Sequence, residues 1–203
     1  MGRQFHRPTL FGPAAIDAQP GGPDPADREE IAHGTARVLL LGAREDDADP
    51  AAVQRLLRLV DEYGVELLAD LWSSSPARSL AGALWRLYLL HTWVRRNPRE
   101  AAGAFDAGRG RAPVHEVVAG VADPPGPEQV SALVDDILRG AYRGDFAVAL
   151  ERAAAFARVV AVGRTIITCE DVPAALSSAR LTGLAEDLES CARLWRAGDL
   201  QAP

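Results

Sequence analysis

The sequence predicts an all-α fold, an orthogonal bundle of α-hairpins around one buried central helix at about residues 76–96, preceded by a flexible N-terminal arm. Three observations carry that expectation. Between Leu80 and Val94 only Gly82, Arg86, His91 and Thr92 interrupt an apolar run. Apolar residues recur at three- and four-residue spacing through most of the remaining chain, which is the helical period. The one β-prone run, Arg164 to Cys169 with its Thr-Ile-Ile-Thr core, is too short for a sheet of its own.

Residues 1–23 are rich in Pro and Gly and hold too few apolar side chains to offset the entropy of ordering, so they are expected to form the arm. Its first twelve residues carry Arg3, Phe5, His6, Arg7, Leu10 and Phe11 and no acid, a composition suited to docking on a partner or on the chain's own domain. The rest, 24–203, is expected to form a single helical domain. Asp24-Pro25 opens a helix with Ile31, Thr35, Val38 and Leu39 on one face, stopped at Gly42. A strand at Arg37–Ala43 leading into a phosphate-binding loop is the rival reading, but no GxGxxG follows. Asp49-Pro50 starts a second helix, with Val53, Leu56, Leu57 and Val60 inward and Gly64 at its end. Val65–Ser73 makes a short third helix that turns Leu68, Leu71 and Trp72 inward.

Ser75 then caps the central helix, Pro76 occupies its first turn, and Asn97-Pro98 ends it because a residue before proline is pushed out of the helical region. Leu80, Leu84, Leu87, His91 and Val94 form one stripe, while Trp85, Leu89 and Trp93 cover much of the opposite side, so both faces need partners. A short helix with Glu100, Ala101, Ala102, Ala104 and Phe105 follows, ended by Gly108-Arg-Gly110, and Pro113–Val121 forms another. Ala122-Asp-Pro-Pro-Gly-Pro127 is the strongest break and the only point at which lobes 24–121 and 128–203 could separate. Pro127 begins a helix with Val130, Leu133, Val134, Ile137 and Leu138 on one side. Asp145 caps the next, which carries Phe146, Ala149, Leu150, Ala153, Phe156, Ala157 and Val160, and these two are expected to pair antiparallel. Helices near 173–181 and 184–197 complete the chain, the last burying Leu184, Leu188, Cys191 and Trp195.

The 203 residues suffice to bury a core without metal or disulfide support. All 22 basic residues are Arg, which with abundant Ala and Gly reads as the codon bias of a high-GC bacterial genome. A net charge of −6 works against general nucleic-acid binding, which depends on clustered positive charge. Cys169 and Cys191 have no CxxC spacing and are read as free thiols of a reduced cytoplasmic protein. The beginning of the chain lacks the apolar segment of a signal peptide, and the Leu80–Val94 run is too short to cross a bilayer.

No motif identifies a reaction. His6, His33, His91 and His115 are scattered, without HxxxH spacing or a cysteine partner, so no metal and no cofactor is expected. GxSxG, GxxxxGK[ST] and GxGxxG are all absent, and no catalytic residue is assigned. His91 is the one histidine on a buried stripe, where its ring needs a hydrogen-bond partner or lines a polar pocket. Glu66 and Asp70 lie one helical turn apart, downstream of Asp61 and Glu62, and could converge with His91 and Arg86 on such a pocket. Each has a plain structural reading as well: a satisfied core histidine and a solvated acidic face.

Two stretches resemble tetratricopeptide-repeat hairpins. Trp85, Ala101 and Phe105 stand at the spacing of that repeat's packing positions, and Tyr142-Arg-Gly-Asp-Phe146 followed by Ala149-Leu150 is similar to its turn and second helix. Ala101 and Ala149 are 48 residues apart, however, against a period of about 34. The resemblance implies α-hairpin packing of the kind that forms peptide-binding grooves. Gly163–Val172 also resembles the loop between histone-fold helices, although Pro173 spoils the register. As a whole the chain resembles small, uncharacterised helical proteins of high-GC bacteria, which implies no activity. The expected function is therefore that of a non-enzymatic, cytoplasmic helical interaction or regulatory protein. Its partner is expected to be a protein, with self-association open and neither membrane nor nucleic acid engaged. The alternative is a small-molecule-binding protein or enzyme whose pocket gathers His91, Arg86, Glu66 and Asp70.

Overall fold

The computed structural model describes residues 24–41, 50–112, 124–167 and 172–201, and among these it contains eight α-helices and no strand. The helices are α1 (Pro25–Leu41), α2 (Pro50–Tyr63), α3 (Glu66–Trp72), α4 (Leu80–Arg96), α5 (Pro98–Gly108), α6 (Pro127–Leu138), α7 (Phe146–Ile167) and α8 (Val172–Ala197), followed by a 3-10 turn at Asp199–Gln201. The N-terminal arm with Arg3, Phe5, His6, Arg7, Leu10 and Phe11, the expected helix Pro113–Val121, Gly42, Asp49 and Cys169 lie outside the described residues.

Helix ends follow from local chemistry. The Asp24 carboxylate accepts from the Ala26 amide at 3.0 Å, and Asp145 does the same for Ala147 at 2.8 Å, so each acid satisfies an amide that has no partner within its helix. Gly64 takes φ +83° to close α2, a left-handed conformation that costs little only for glycine. The central helix begins four residues later than the Ser75-Pro76 signal suggests. Ser79 is its cap, with Oγ accepting from the Gly82 amide at 3.1 Å and donating to the Pro76 carbonyl at 2.9 Å. A run of serines before a helix offers several caps, and here the last one places Leu80 in the interior.

The stripe Leu80, Leu84, Leu87, His91 and Val94 is buried as expected. The opposite side is covered only in part: Arg164 lies 5.5 Å from the centre of the Trp93 ring, Tyr88 stacks on Trp85, and Leu89 stays 40 % exposed. Trp72, by contrast, is fully buried, and its indole N–H donates to Thr35 Oγ1 at 3.1 Å. α1 is rotated from the face expected of it. Ala32, Ala36, Leu39 and Leu40 go inward and Ile31 is 55 % exposed, because the alanines let α1 lie close against α4.

α7 is the second buried helix, with thirteen of its 22 residues shielded from solvent. It packs on α8 along its length and on α5, whereas α6 lies mainly against α4, so the antiparallel pairing of 127–138 with 146–160 is replaced. The alanine-rich surface of α7 admits close neighbours that the branched side chains of α6 would hold off. At the α5 crossing, Gly108 and Gly163 bring two backbones into contact. A Cβ on Gly163 would fall on the Ala104 carbonyl oxygen, and one on Gly108 on that of Val159. Phe105 and Phe156 stack beside the crossing at 5.8 Å between centroids.

Two further expectations are corrected. The segment Arg164–Ile167 is the last turn of α7 and has no β character. Thr165 Oγ1 donates back to the Ala161 carbonyl at 3.1 Å, and Arg164 binds Glu100 at 2.6 Å and Ser177 at 2.9 Å, which holds the turn helical. The helices near 173–181 and 184–197 are one continuous helix through Gly183. Packing on α7 and the two-pronged contacts of Arg158 with Glu189 (2.6 and 2.7 Å) and of Arg196 with Glu151 outweigh the glycine. Side chains from all eight helices enter one buried cluster. No helix among the described residues is long and apolar enough to cross a membrane.

The two kinds of helical glycine make opposite predictions. Gly163→Ala should destabilise the protein by about 1–3 kcal/mol, the usual cost of overpacking. Gly183, where an added Cβ meets nothing within 4 Å, should gain about 0.5–1 kcal/mol as alanine. Chemical denaturation of the two variants checks both signs.

Candidate functional site

An open cleft of about 460 Å³ runs between the start of α3 and the outer face of α4. Val65 and Glu66 form one wall; Tyr88, His91, Thr92, Arg95 and Arg96 form the other. The α4 wall is explained by spacing: positions 88, 91, 92, 95 and 96 recur every three or four residues and so share one side of the helix. That side adjoins the buried stripe, and His91 belongs to both, with only 8 % of its surface exposed. Arg95 and Arg96 occupy the last turn of α4, where the helix dipole favours positive charge.

Behind the cleft, α6 supplies Asp135. His91 Nε2 lies 3.1 Å from Asp135 Oδ1, Arg95 lies 3.5 Å from Oδ2, and Arg139, one turn along α6, lies 3.7 Å from Oδ1. The imidazole approaches at ion-pair distance without the alignment of a formed hydrogen bond, since the buried Nε2 has no hydrogen-bond partner among the described residues.

Of the four pocket residues expected from the sequence, His91 and Glu66 line this cleft. Arg86 and Asp70 do not. Arg86 points to the α8 side, where Nε and Nη2 bind Asp187 at 2.8 and 2.7 Å and Nη1 donates to the Gly82 carbonyl at 3.0 Å. Asp70 is exposed on α3, and its carbonyl accepts from Ser73. Asp135, Tyr88, Thr92, Arg95 and Arg96 were missed. The last four are a polar row on an otherwise apolar helix, a signal open to periodicity analysis, whereas Asp135 is joined to them only by tertiary packing. A second, smaller recess of about 280 Å³ is bounded by Pro25, Arg28, Glu29, Ser74 and Ser75. Among the described residues no group of three or more His, Cys, Asp or Glu side chains could hold a metal ion.

Cys191 is fully buried, and its thiol donates to the Ala77 carbonyl at 3.5 Å. Burial pushes the thiol up to about 11 against the opposing pull of Arg86. It is thus a packing group and a poor nucleophile. Comparison with protein-family models, with curated proteins and with solved structures finds no match.

In a Cys169→Ser background, the native protein should leave Cys191 unmodified by a disulfide reagent at pH 8, and denaturant should release it. A thiol raised in the fold contributes stability that is complete below its unfolded value near 9 and is lost as pH rises through about 11. Unfolding measured across that window should therefore decline more for the wild type than for Cys191→Ala. A double-mutant cycle of His91→Ala with Asp135→Ala should return about 0.5–1 kcal/mol of coupling.

Proposed function

We propose that this is a helical interaction or regulatory protein of the bacterial cytoplasm, and that its recognition face is the α2–α3 corner together with the α3–α4 cleft. One observation carries the reading. At that corner Leu59, Tyr63 and Leu67 are 42 %, 62 % and 55 % exposed, and Val65 and Glu66, which lie between Tyr63 and Leu67 in the chain, form one wall of the cleft. Leu59 and Tyr63 stand one turn apart on α2, so their side chains present together. These exposed apolar groups, with Tyr88, Arg95 and Arg96 across the cleft from Val65 and Glu66, give the mixture of aromatic, aliphatic and arginine side chains in which interface hot spots are rich. The cleft is open to solvent, which suits a projecting side chain of a partner better than a small molecule that must be enclosed on most sides.

The second reading, a small-molecule site, draws its support from the buried His91 imidazole held against Asp135 at the back of the same cleft. The two readings separate experimentally. A photo-crosslinking residue at Leu67, expressed in the native host, should yield a discrete protein adduct that is lost when Leu59 and Tyr63 are changed to serine. The same residue at the exposed Ala179 of α8 should yield none. Absence of any adduct from Leu67, together with a melting-point rise on addition of a metabolite that His91→Ala abolishes, would favour the small-molecule reading.

A further inference from the structure

We infer that the α3–α4 cleft is a binding site for a single carboxylate carried on an apolar stem. The inference rests on the recognition face proposed above and names the group that face receives.

The argument is one of unmet donors. The hydroxyls of Tyr88 and Thr92 and the guanidinium of Arg96 stand at i, i+4 and i+8 along one side of α4, and all three line the cleft. None of the three has a hydrogen bond or ion pair to another described residue. Six other arginines of the fold, Arg86, Arg95, Arg139, Arg158, Arg164 and Arg196, each have a carboxylate within ion-pair distance. Arg96 is the cation the cleft leaves over. A guanidinium and two hydroxyls in a row call for an acceptor-rich ligand, and arginine presents the fork that matches a carboxylate.

The number of charges narrows the class. Arg95 already shares Asp135 with His91 and Arg139, so Arg96 is the main uncompensated positive charge on the α4 wall. Glu66 also lines the cleft, from the α3 wall, with its carboxylate turned toward Gly64. A monoanion gains from Arg96 without severe repulsion, whereas a phosphate dianion is penalised by Glu66. The apolar part of the ligand has its own place, because Val65 and the ring of Tyr88, itself stacked on Trp85 at 5.6 Å, line the same cleft. A glutamate side chain of a partner segment and a free arylalkyl acid share this chemistry.

The test is a titration of ¹⁵N-labelled full-length protein, followed by amide shifts, with five probes. These are sodium phenylacetate, its uncharged isostere phenylacetamide, inorganic phosphate, and the blocked peptides acetyl-Ala-Leu-Glu-Leu-Ala-amide and its Gln counterpart. Phenylacetate or the Glu peptide should give saturable shifts confined to Val65–Glu66 and Tyr88–Arg96, and phenylacetamide and the Gln peptide should not. Arg96→Glu should weaken binding about tenfold or more, at least the loss expected for one charge-assisted hydrogen bond, while the amide spectrum remains that of the native fold. Tighter binding of the Glu peptide assigns the carboxylate to a partner chain; tighter binding of phenylacetate assigns it to a free acid. Equal binding of the uncharged isosteres, a preference for phosphate, indifference to Arg96→Glu, or no saturable shift from either acid overturns the inference. The crosslinking adduct at Leu67 is read independently, so a partner that docks without using the cleft would show itself as such.

Discussion

The close crossing of α5 and α7 is the constraint from which the rest of the architecture follows. Where Gly108 meets Gly163 there is no room for a Cβ on either chain, so the two backbones touch, and dispersion contacts form between main-chain atoms as well as side chains. That approach fixes the height of Phe105 against Phe156 and leaves the remaining circumference of α7 to α8. α4 meets α5 at the tight Asn97-Pro98 corner, where Asn97 ends one helix and precedes the first residue of the next. The position of α4, and with it the cleft, is therefore inherited from a glycine contact on another part of the molecule.

Charge pairs then set the register of the long helices. Arg158 with Glu189 and Arg196 with Glu151 join α7 to α8, Arg86 with Asp187 joins α4 to α8, and Arg164 with Glu100 joins α7 to α5. Pairs this exposed contribute little stability one by one. Their value is geometric: a two-pronged guanidinium–carboxylate contact tolerates little sliding, so an alanine-lined interface, which alone could slip by a turn, has one favoured alignment. A chain with arginine as its only long cation is well provided for this.

How much of this was legible in the sequence depended on range. Helix class, the inward stripe of α4 and most boundaries could be read, because 3.6-residue periodicity and proline, glycine and aspartate signals act locally. The errors were of two kinds. The run at 164–169 read as β-prone, and 173–181 and 184–197 as separate helices, yet packing on α7 and the grip of Arg164 outweigh propensities worth less than about 1 kcal/mol per residue. Ala32 and Ala36 were passed over for Ile31 because hydrophobicity scales reward bulk, whereas a close helix crossing rewards its absence. The candidate site divided in the same way. His91 and Glu66 could be singled out as polar residues bordering the central stripe, but Arg86 was assigned to them although its carboxylate, Asp187, is 101 residues away, and Asp135 could be joined to His91 only through the fold.

The same division explains why the cleft sits on α4. A helix whose full circumference is buried has no polar face to offer, and one at the surface has no fixed scaffold behind it. α4 is intermediate: Leu80, Leu84, Leu87 and Val94 anchor it in the core, while residues 88, 92, 95 and 96 emerge on one side. His91 stands at the boundary, with one ring nitrogen held toward Asp135 on α6, and it ties the emerging row to a second rigid element. Asp135 also draws on Arg95, which leaves neighbouring Arg96 without a carboxylate among the described residues. One carboxylate thus serves Arg95, Arg139 and the His91 imidazole while Arg96 beside them has none, and the inferred preference for an incoming acid follows from that imbalance.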